Sequence, residues 1–192
     1  MTILLVRHGR TAVNAAGLFL GRADPELDEV GRAQAEAIGD ALGSVDRVIS
    51  SPLRRAVETA RCIDGPLTVD DWFVELDYGE WDGRPVGEVA TDEWVRWRED
   101  LEFEPPGGES IGALGRRVRS ALDDLEDEAA GMVIAVVTHV SPLKAAVAWA
   151  LGVDDRIAWH LFVSPGSISR LEVGRGRRSM VSFNEISHLS RP

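Results

Sequence analysis

Two histidines occupy the same kind of position in this chain. His8 follows the apolar run Ile3 to Val6 inside Arg7-His8-Gly9, and His139 follows the run Met132 to Val137 (MVIAVV) inside Thr138-His139. If both runs are strands of one parallel sheet, both imidazoles emerge at its carboxyl edge, where α/β folds gather their ligands. His160 and His188 follow no such run. Paired imidazoles can hold a metal, but neither histidine has a second ligand at H-x-x-x-H or C-x-x-C spacing, and Cys62 is the only cysteine. Their other use is phosphate chemistry, because a neutral imidazole attacks phosphorus when guanidinium groups disperse the charge on the phosphoryl oxygens. Arg7 and the pair Arg54-Arg55 are candidates for that clamp. Arginine in a helix's first turn is poorly placed against the helix dipole, and a bound anion there relieves the mismatch. The expected site holds a phosphate ester without metal or cofactor.

The elements that must position these residues follow from periodicity. Ile3 to Val6, Arg47 to Ile49 and Leu67 to Val69 read as short strands, and Met132 to Val137 as the central buried one. Glu29 to Leu42 and Leu53 to Cys62 have helical spacing, the second introduced by Pro52. Ser110 is placed to cap a long helix running to Ala130, and Pro142 to Leu151 continues as a helix after His139. Ser167 to Val173 and Met180 to Phe183 alternate as two late strands joined by the turn Gly174-Arg175-Gly176. The pattern predicts an α/β fold: a three-layer αβα sandwich with a mostly parallel central sheet, in a single domain over 1–192. The segment at about 71–108, rich in Trp, Gly and acidic residues, interrupts it as a lid-like excursion with one short helix near Glu93 to Leu101.

A formal net charge of -11 argues against nucleic acid or an anionic membrane as partner, since both reward basic faces. The partner class is a small molecule. Much of the acidity lies in Asp123 to Glu128, read as a solvated helix face, while Arg7, Arg10, Arg54 and Arg55 sit among apolar or small residues. No apolar run approaches the roughly 20 residues of a membrane span, and the first residues lack the pattern of a signal peptide, so a cytoplasmic location is expected. A lone cysteine suits a reducing compartment, and Cys62 is expected to be a buried small side chain. A homodimer is compatible with this composition.

Leu5-Val6-Arg7-His8-Gly9-Arg10-Thr11 with Asn14, then Ser51-Pro52-Leu53-Arg54-Arg55-Ala56 with Thr59-Ala60, resemble the histidine phosphatase superfamily, which includes the phosphoglycerate mutases. Glu75-Leu76-Asp77-Tyr78-Gly79-Glu80-Trp81-Asp82-Gly83, Gly107-Gly108-Glu109-Ser110 and Val137-Thr138-His139 follow in the order the resemblance requires. It implies a phosphoglycerate mutase-like fold and a phosphatase that passes through phosphohistidine. His8 is then the nucleophile. Arg7, Arg55 and His139 bind the phosphoryl group, Asn14 and Gly21 belong to the substrate-binding set, and Glu75 is the proton donor. Arg55 is preferred to Arg54 because the family's arginine directly precedes the small residue that is Ala56 here. A donor acid must carry a proton, which desolvation and a neighbouring phosphate both favour.

Two departures bear on the substrate. Leu20 stands before Gly21 where many relatives carry glutamine, and Arg10 stands where a glutamate is frequent after R-H-G. Trp72, Trp81, Trp94 and Trp97 offer either a wall for an aromatic leaving group or packing for the excursion. Thr138-His139-Val140-Ser141-Pro142-Leu143-Lys144 is similar to acid-phosphatase and α-ribazole-phosphatase-like branches. The rival activities are a bisphosphoglycerate-dependent mutase and a non-catalytic relative that binds phosphorylated ligands. Mutases of the family are longer and carry basic segments, whereas the excursion here offers Asp, Glu and Trp and is expected to repel a carboxylate such as that of 3-phosphoglycerate. Retention of His8, Glu75 and His139 together speaks against a binding module. A nucleotide-binding domain is weaker still, as neither G-x-G-x-x-G after a strand nor G-x-x-x-x-G-K-[ST] occurs.

Overall fold

Strand β1 (Thr2–Arg7) is buried at every position after its first, and β4 (Val133–Thr138) has the same pattern. Continuous rather than alternating burial is what a strand covered on both faces requires. A computed structural model describes residues 1–174 and 176–189, so Arg175 in the expected late turn lies outside the described residues. The other strands are β2 (Arg47–Ser50), β3 (Leu67–Val69), β5 (Ile168–Gly174) and β6 (Arg177–Glu185), in the sheet order β3-β2-β4-β1-β5-β6. β3, β2, β4 and β1 run parallel; β5 pairs antiparallel with β1, and β6 antiparallel with β5.

Alternate residues of the strands pack into two separate cores. Leu4, Val6, Val48, Ala135 and Val137 meet Ile38 of α2 (Glu29–Leu42) and Ala56 and Ala60 of α3 (Arg54–Ala60). Ile3, Leu5, Ile49, Ile134 and Val136 meet α5 (Ile111–Glu128) and α6 (Val140–Leu151) on the other face. The expected sandwich of a mostly parallel sheet between helices is therefore present. A single turn, α1 (Ala12–Ala15), follows β1, and α4 (Thr91–Glu99) is the short helix of the 71–108 segment. Three 3-10 turns, at Asp71–Phe73, Gly79–Trp81 and Val86–Glu88, make up much of the remainder.

Several boundaries differ from expectation for local reasons. α6 starts at Val140, two residues before Pro142, because proline in a first turn forfeits no intrahelical bond. α4 starts two residues before Glu93, with Asp92 and Glu93 in its first turn and Arg96 and Arg98 in its last, which matches the dipole. α5 is capped as expected, with Ser110 Oγ accepting from the Ala113 N–H at 3.1 Å, and it ends at Glu128. α3 ends at Ala60, so Cys62 falls in the turn beyond it and is exposed, which corrects the expectation of a buried thiol. Among the described residues no helix is long and apolar enough to cross a membrane.

Candidate active site

β1 and β4 are neighbours, with Arg7 opposite Thr138, so the next residue of each strand is a histidine. The His8 N–H donates to the Thr138 carbonyl at 3.0 Å, and the His8 and His139 ring centroids lie 4.9 Å apart. The predicted convergence is met. β2 ends beside them: Ser51 N–H donates to the Val137 carbonyl, and α3 begins three residues later. The loop after β1 hugs α2, where a Cβ on Gly9 would stand 2.3 Å from the Gly31 carbonyl oxygen. Only glycine permits that approach. The Gly9 N–H is held at 3.0 Å by Thr59 Oγ1, which itself donates to the Arg55 carbonyl at 2.8 Å, tying the histidine loop to α3.

Hydrogen bonds define the imidazole protonation. His8 Nδ1 lies 2.7 Å from the Gly9 carbonyl, which can only accept, so Nδ1 carries the proton and Nε2 keeps a free lone pair. Arg55 Nε donates weakly to that Nε2 at 3.3 Å. Burial, then Arg55 and Arg7, hold the His8 pKa well below the usual imidazole value, so the ring is neutral near pH 7. His139 Nε2 is 2.7 Å from Ser51 Oγ. Because Ser51 Oγ already accepts from the Leu53 N–H at 3.3 Å, its own hydrogen is available to His139. In the tautomer that accepts this hydrogen His139 Nδ1 carries the proton, and that buried nitrogen has no partner among the described residues. Burial, then His8, Arg55 and Arg7, hold His139 neutral as well.

The two arginines are fixed from opposite sides. Arg55 is fully buried, and its other guanidinium nitrogens donate to the Ala23 carbonyl at 2.7 Å and the Gly21 carbonyl at 2.9 Å. Arg7 Nη1 donates to the Val163 carbonyl at 2.6 Å, while its buried Nε has no partner among the described residues. Burial lowers the Arg7 pKa to about 10 against the opposing pull of Glu75 and Tyr78, so it stays charged at neutral pH. Arg7 Nε and His139 Nδ1 are thus buried donors awaiting acceptors, and native proteins rarely leave such groups unsatisfied.

Glu75, 3% exposed, also reaches this edge. Its carboxylate oxygens accept from the backbone N–H groups of Leu76 at 2.7 Å, Val140 at 3.1 Å and Ser141 at 3.2 Å, so it sits on the N-terminus of α6. Arg117 of α5 holds its segment in place, donating to the carbonyls of Trp72, Val74 and Glu75 and bridging Glu109. Thr138 Oγ1 donates to the Phe73 carbonyl at 2.6 Å and ties the segment to β4.

Other candidates fall elsewhere. Asn14 lies in the capping box of α1, its Oδ1 accepting from the N–H and hydroxyl of Thr11. No hydrogen bond among the described residues joins it to His8 or the arginines. Gly21 spends its N–H on Asp82 at 2.8 Å and its carbonyl on Arg55, so its backbone positions the arginine. Arg54 pairs on the surface with Glu26 and Glu58, and Arg10 turns to Asp28. Leu20 is buried. Trp81, Trp94 and Trp97 pack with Phe19, Tyr78 and Trp159 in one aromatic cluster, while Trp72 is exposed. The supporting residues Ser51, Thr59, Thr138 and Arg117 carry no role assigned from the sequence, since the contacts that tie them to His139, Gly9, Phe73 and Trp72 span 88, 50, 65 and 45 positions.

Of the acids in the 71–108 excursion, Glu75 brings its carboxylate to the site, while others turn elsewhere. Asp82 holds the N–H groups of Gly21 and Ala23, Asp77 that of Gly79, and Glu80, Glu88, Asp92 and Glu99 are exposed.

A mostly parallel sheet that brings a neutral imidazole, a second histidine and two buried guanidiniums to its carboxyl edge defines a protein built around a phosphoryl group. The chain belongs to the histidine phosphatase superfamily (branch 1), whose profile matches residues 3–186. Phosphoserine phosphatase 1 of Hydrogenobacter thermophilus is 31% identical over 199 residues, covering 97% of this chain and 93% of that protein. A bifunctional protein of Mycobacterium tuberculosis is 35% identical, covering 97% of this chain but 54% of its own length, so the chain spans about half of that relative. Among solved structures, a histidine-to-alanine mutant of the phosphoserine phosphatase of Entamoeba histolytica, in complex with phosphoserine, matches with a TM-score of 0.91 at 26% identity, over 98% of each chain.

Proposed function

We propose that this chain hydrolyses small-molecule phosphate monoesters in two steps through a phosphohistidine on His8, without a metal ion. The observation that carries the reading is the free lone pair of His8 Nε2, set among Arg55, Arg7 and His139 by the Nδ1 bond to Gly9. Nε2 attacks phosphorus, the bond from phosphorus to the ester oxygen breaks, and the departing oxygen takes a proton from Glu75. A water then attacks the phosphohistidine, the P–N bond breaks, and Glu75 recovers the proton. Arg7, Arg55 and His139 Nδ1 supply fixed donors for the charge on the phosphoryl oxygens throughout.

The related phosphoserine phosphatases support hydrolysis as the outcome over transfer to a second oxygen. Asn14 enters as an amide donor to substrate, and Gly21 through its hold on Arg55. We read 1–192 as one domain whose 71–108 segment walls the leaving-group side, supported by Phe73, Leu76, Trp81 and Trp97 sharing a core with α5 and α6. A cytoplasmic location rests on the lone thiol and the acidic composition.

The test is rapid quenching with ³²P-labelled p-nitrophenyl phosphate in the presence of a chelator. Label that is acid-labile and alkali-stable, and absent from His8→Ala, is expected. Undiminished trapping in His8→Ala rejects the nucleophile, and loss of wild-type trapping on chelation, restored by one metal, rejects metal independence.

A further inference from the structure

Beside Glu75 lies a cavity of about 70 Å³, walled by Leu76, Tyr78, Trp97, Ser141, Lys144 and Trp159. Its position relative to the chemistry is defined by shared residues. The Ser141 N–H bonds Glu75 and the Ser141 hydroxyl lies 3.3 Å from Tyr78 Oη, so the cavity adjoins the first turn of α6 that holds Glu75.

The polar groups of the wall are mostly donors. Lys144, half-buried on α6, makes no hydrogen bond or ion pair among the described residues. Asp155 also lines the cavity, and its carboxylate is paired with Arg119 at 2.7 Å. The indole N–H groups of Trp97 and Trp159 are buried and also have no partner among the described residues. Burial lowers the Lys144 pKa, while Glu75 raises it and Arg7 lowers it, which places the ammonium within electrostatic reach of the reacting groups. A partly desolvated cation with no ion pair of its own is costly, and an anion supplied by the ligand lowers that cost. The space is too small for a nucleoside or a second phosphate with its own clamp, but it admits a group of a few heavy atoms, since a water claims about 30 Å³.

We propose that Lys144 is a specificity-determining residue that receives a carboxylate on the leaving group of a short phosphate monoester. The inference rests on the phosphatase reading above and deepens it. It predicts that the chain distinguishes 3-phosphoglycerate from sn-glycerol 3-phosphate, which differ in a carboxylate against a hydroxymethyl group.

Steady-state kinetics of phosphate release from these two esters and from p-nitrophenyl phosphate test it in the wild type, Lys144→Met and Lys144→Arg. A charge-assisted hydrogen bond predicts about a ten- to hundredfold preference for 3-phosphoglycerate in kcat/KM. Lys144→Met should abolish that preference, mainly through KM, and Lys144→Arg should keep most of it. Turnover of sn-glycerol 3-phosphate and p-nitrophenyl phosphate should stay within about twofold, which also shows that the variants fold. A wild type that hydrolyses all three without preferring the carboxylate, or a Lys144→Met loss equal across all three, overturns the role of Lys144 and leaves the phosphatase reading standing. No phosphate release from any of the three by the wild type overturns both.

Discussion

Glu75 has two environments at once: backbone donors at the start of α6 on its oxygens, and the charges of Arg7 and Arg55 within electrostatic range. Those contacts hold the side chain still, which a proton donor needs, because transfer requires hydrogen-bond reach to the departing oxygen. Replacing Glu75 by Gln keeps the shape and removes the proton. Turnover of alkyl phosphates should then fall by about 10²- to 10⁴-fold, the usual contribution of a positioned acid, while p-nitrophenyl phosphate, whose leaving oxygen needs little help, falls far less. Equal losses on both substrates would remove Glu75 from that role. Single side chains also show what the sequence displays and what it hides. Arg54 and Arg55 are adjacent, and spacing alone left either as the clamp; helical phase turns Arg54 to the surface acids Glu26 and Glu58 and Arg55 inward to His8. The histidines were legible because each ends an apolar run. Gly21 and Asn14 were legible as positions, but their hydrogen bonds to Asp82, Arg55 and Thr11 depend on the folded loop.

At the scale of elements, α5 does more than cover the sheet. Its inward face, Ile111, Leu114, Val118, Leu122 and Leu125, repeats at helical spacing and was readable as a core helix, down to the Ser110 cap. Its Arg117 was not, because the carbonyls it reaches lie 42 to 45 positions earlier, in a segment without regular structure. Those bonds fix the stretch that ends in Glu75, which makes Arg117 a positioning residue. Arg117→Met retains most of the stem and loses all five donors. The expected result is a drop in kcat of about tenfold or more for alkyl phosphates with a smaller drop for p-nitrophenyl phosphate, and little change in KM. A variant that merely loosened the fold would lose turnover of both substrates in proportion, and that outcome would reject the positioning role.

Over the whole molecule, the buried continuous strands announced a sheet covered on both faces, and the sheet order then placed β1 beside β4. What could not be read was the 71–108 segment, whose turns take their shape from packing Phe73, Trp81 and Trp97 against α5 and α6 rather than from any local period. The same burial that assembles the site links it to the stability of the entire fold. His8 and His139 are both fully buried and held neutral, with folded pKa values well below the 6.5 of an exposed imidazole. Unfolding releases both rings to bind protons at about that ordinary value, so below it the unfolded chain carries more protons than the folded one. Stability must therefore be fully present above about pH 6.5 and fall as the pH drops toward the folded pKa values, by up to about 1.4 kcal/mol per pH unit for each histidine. Urea denaturation of the wild type at pH 7.5, 6.5 and 5.5 should show that decline. His139→Gln should remove close to half of the histidine share of the slope, whatever its effect on stability at pH 7.5. Parallel declines for wild type and variant between pH 6.5 and 5.5 would mean that His139 is not buried in its neutral form.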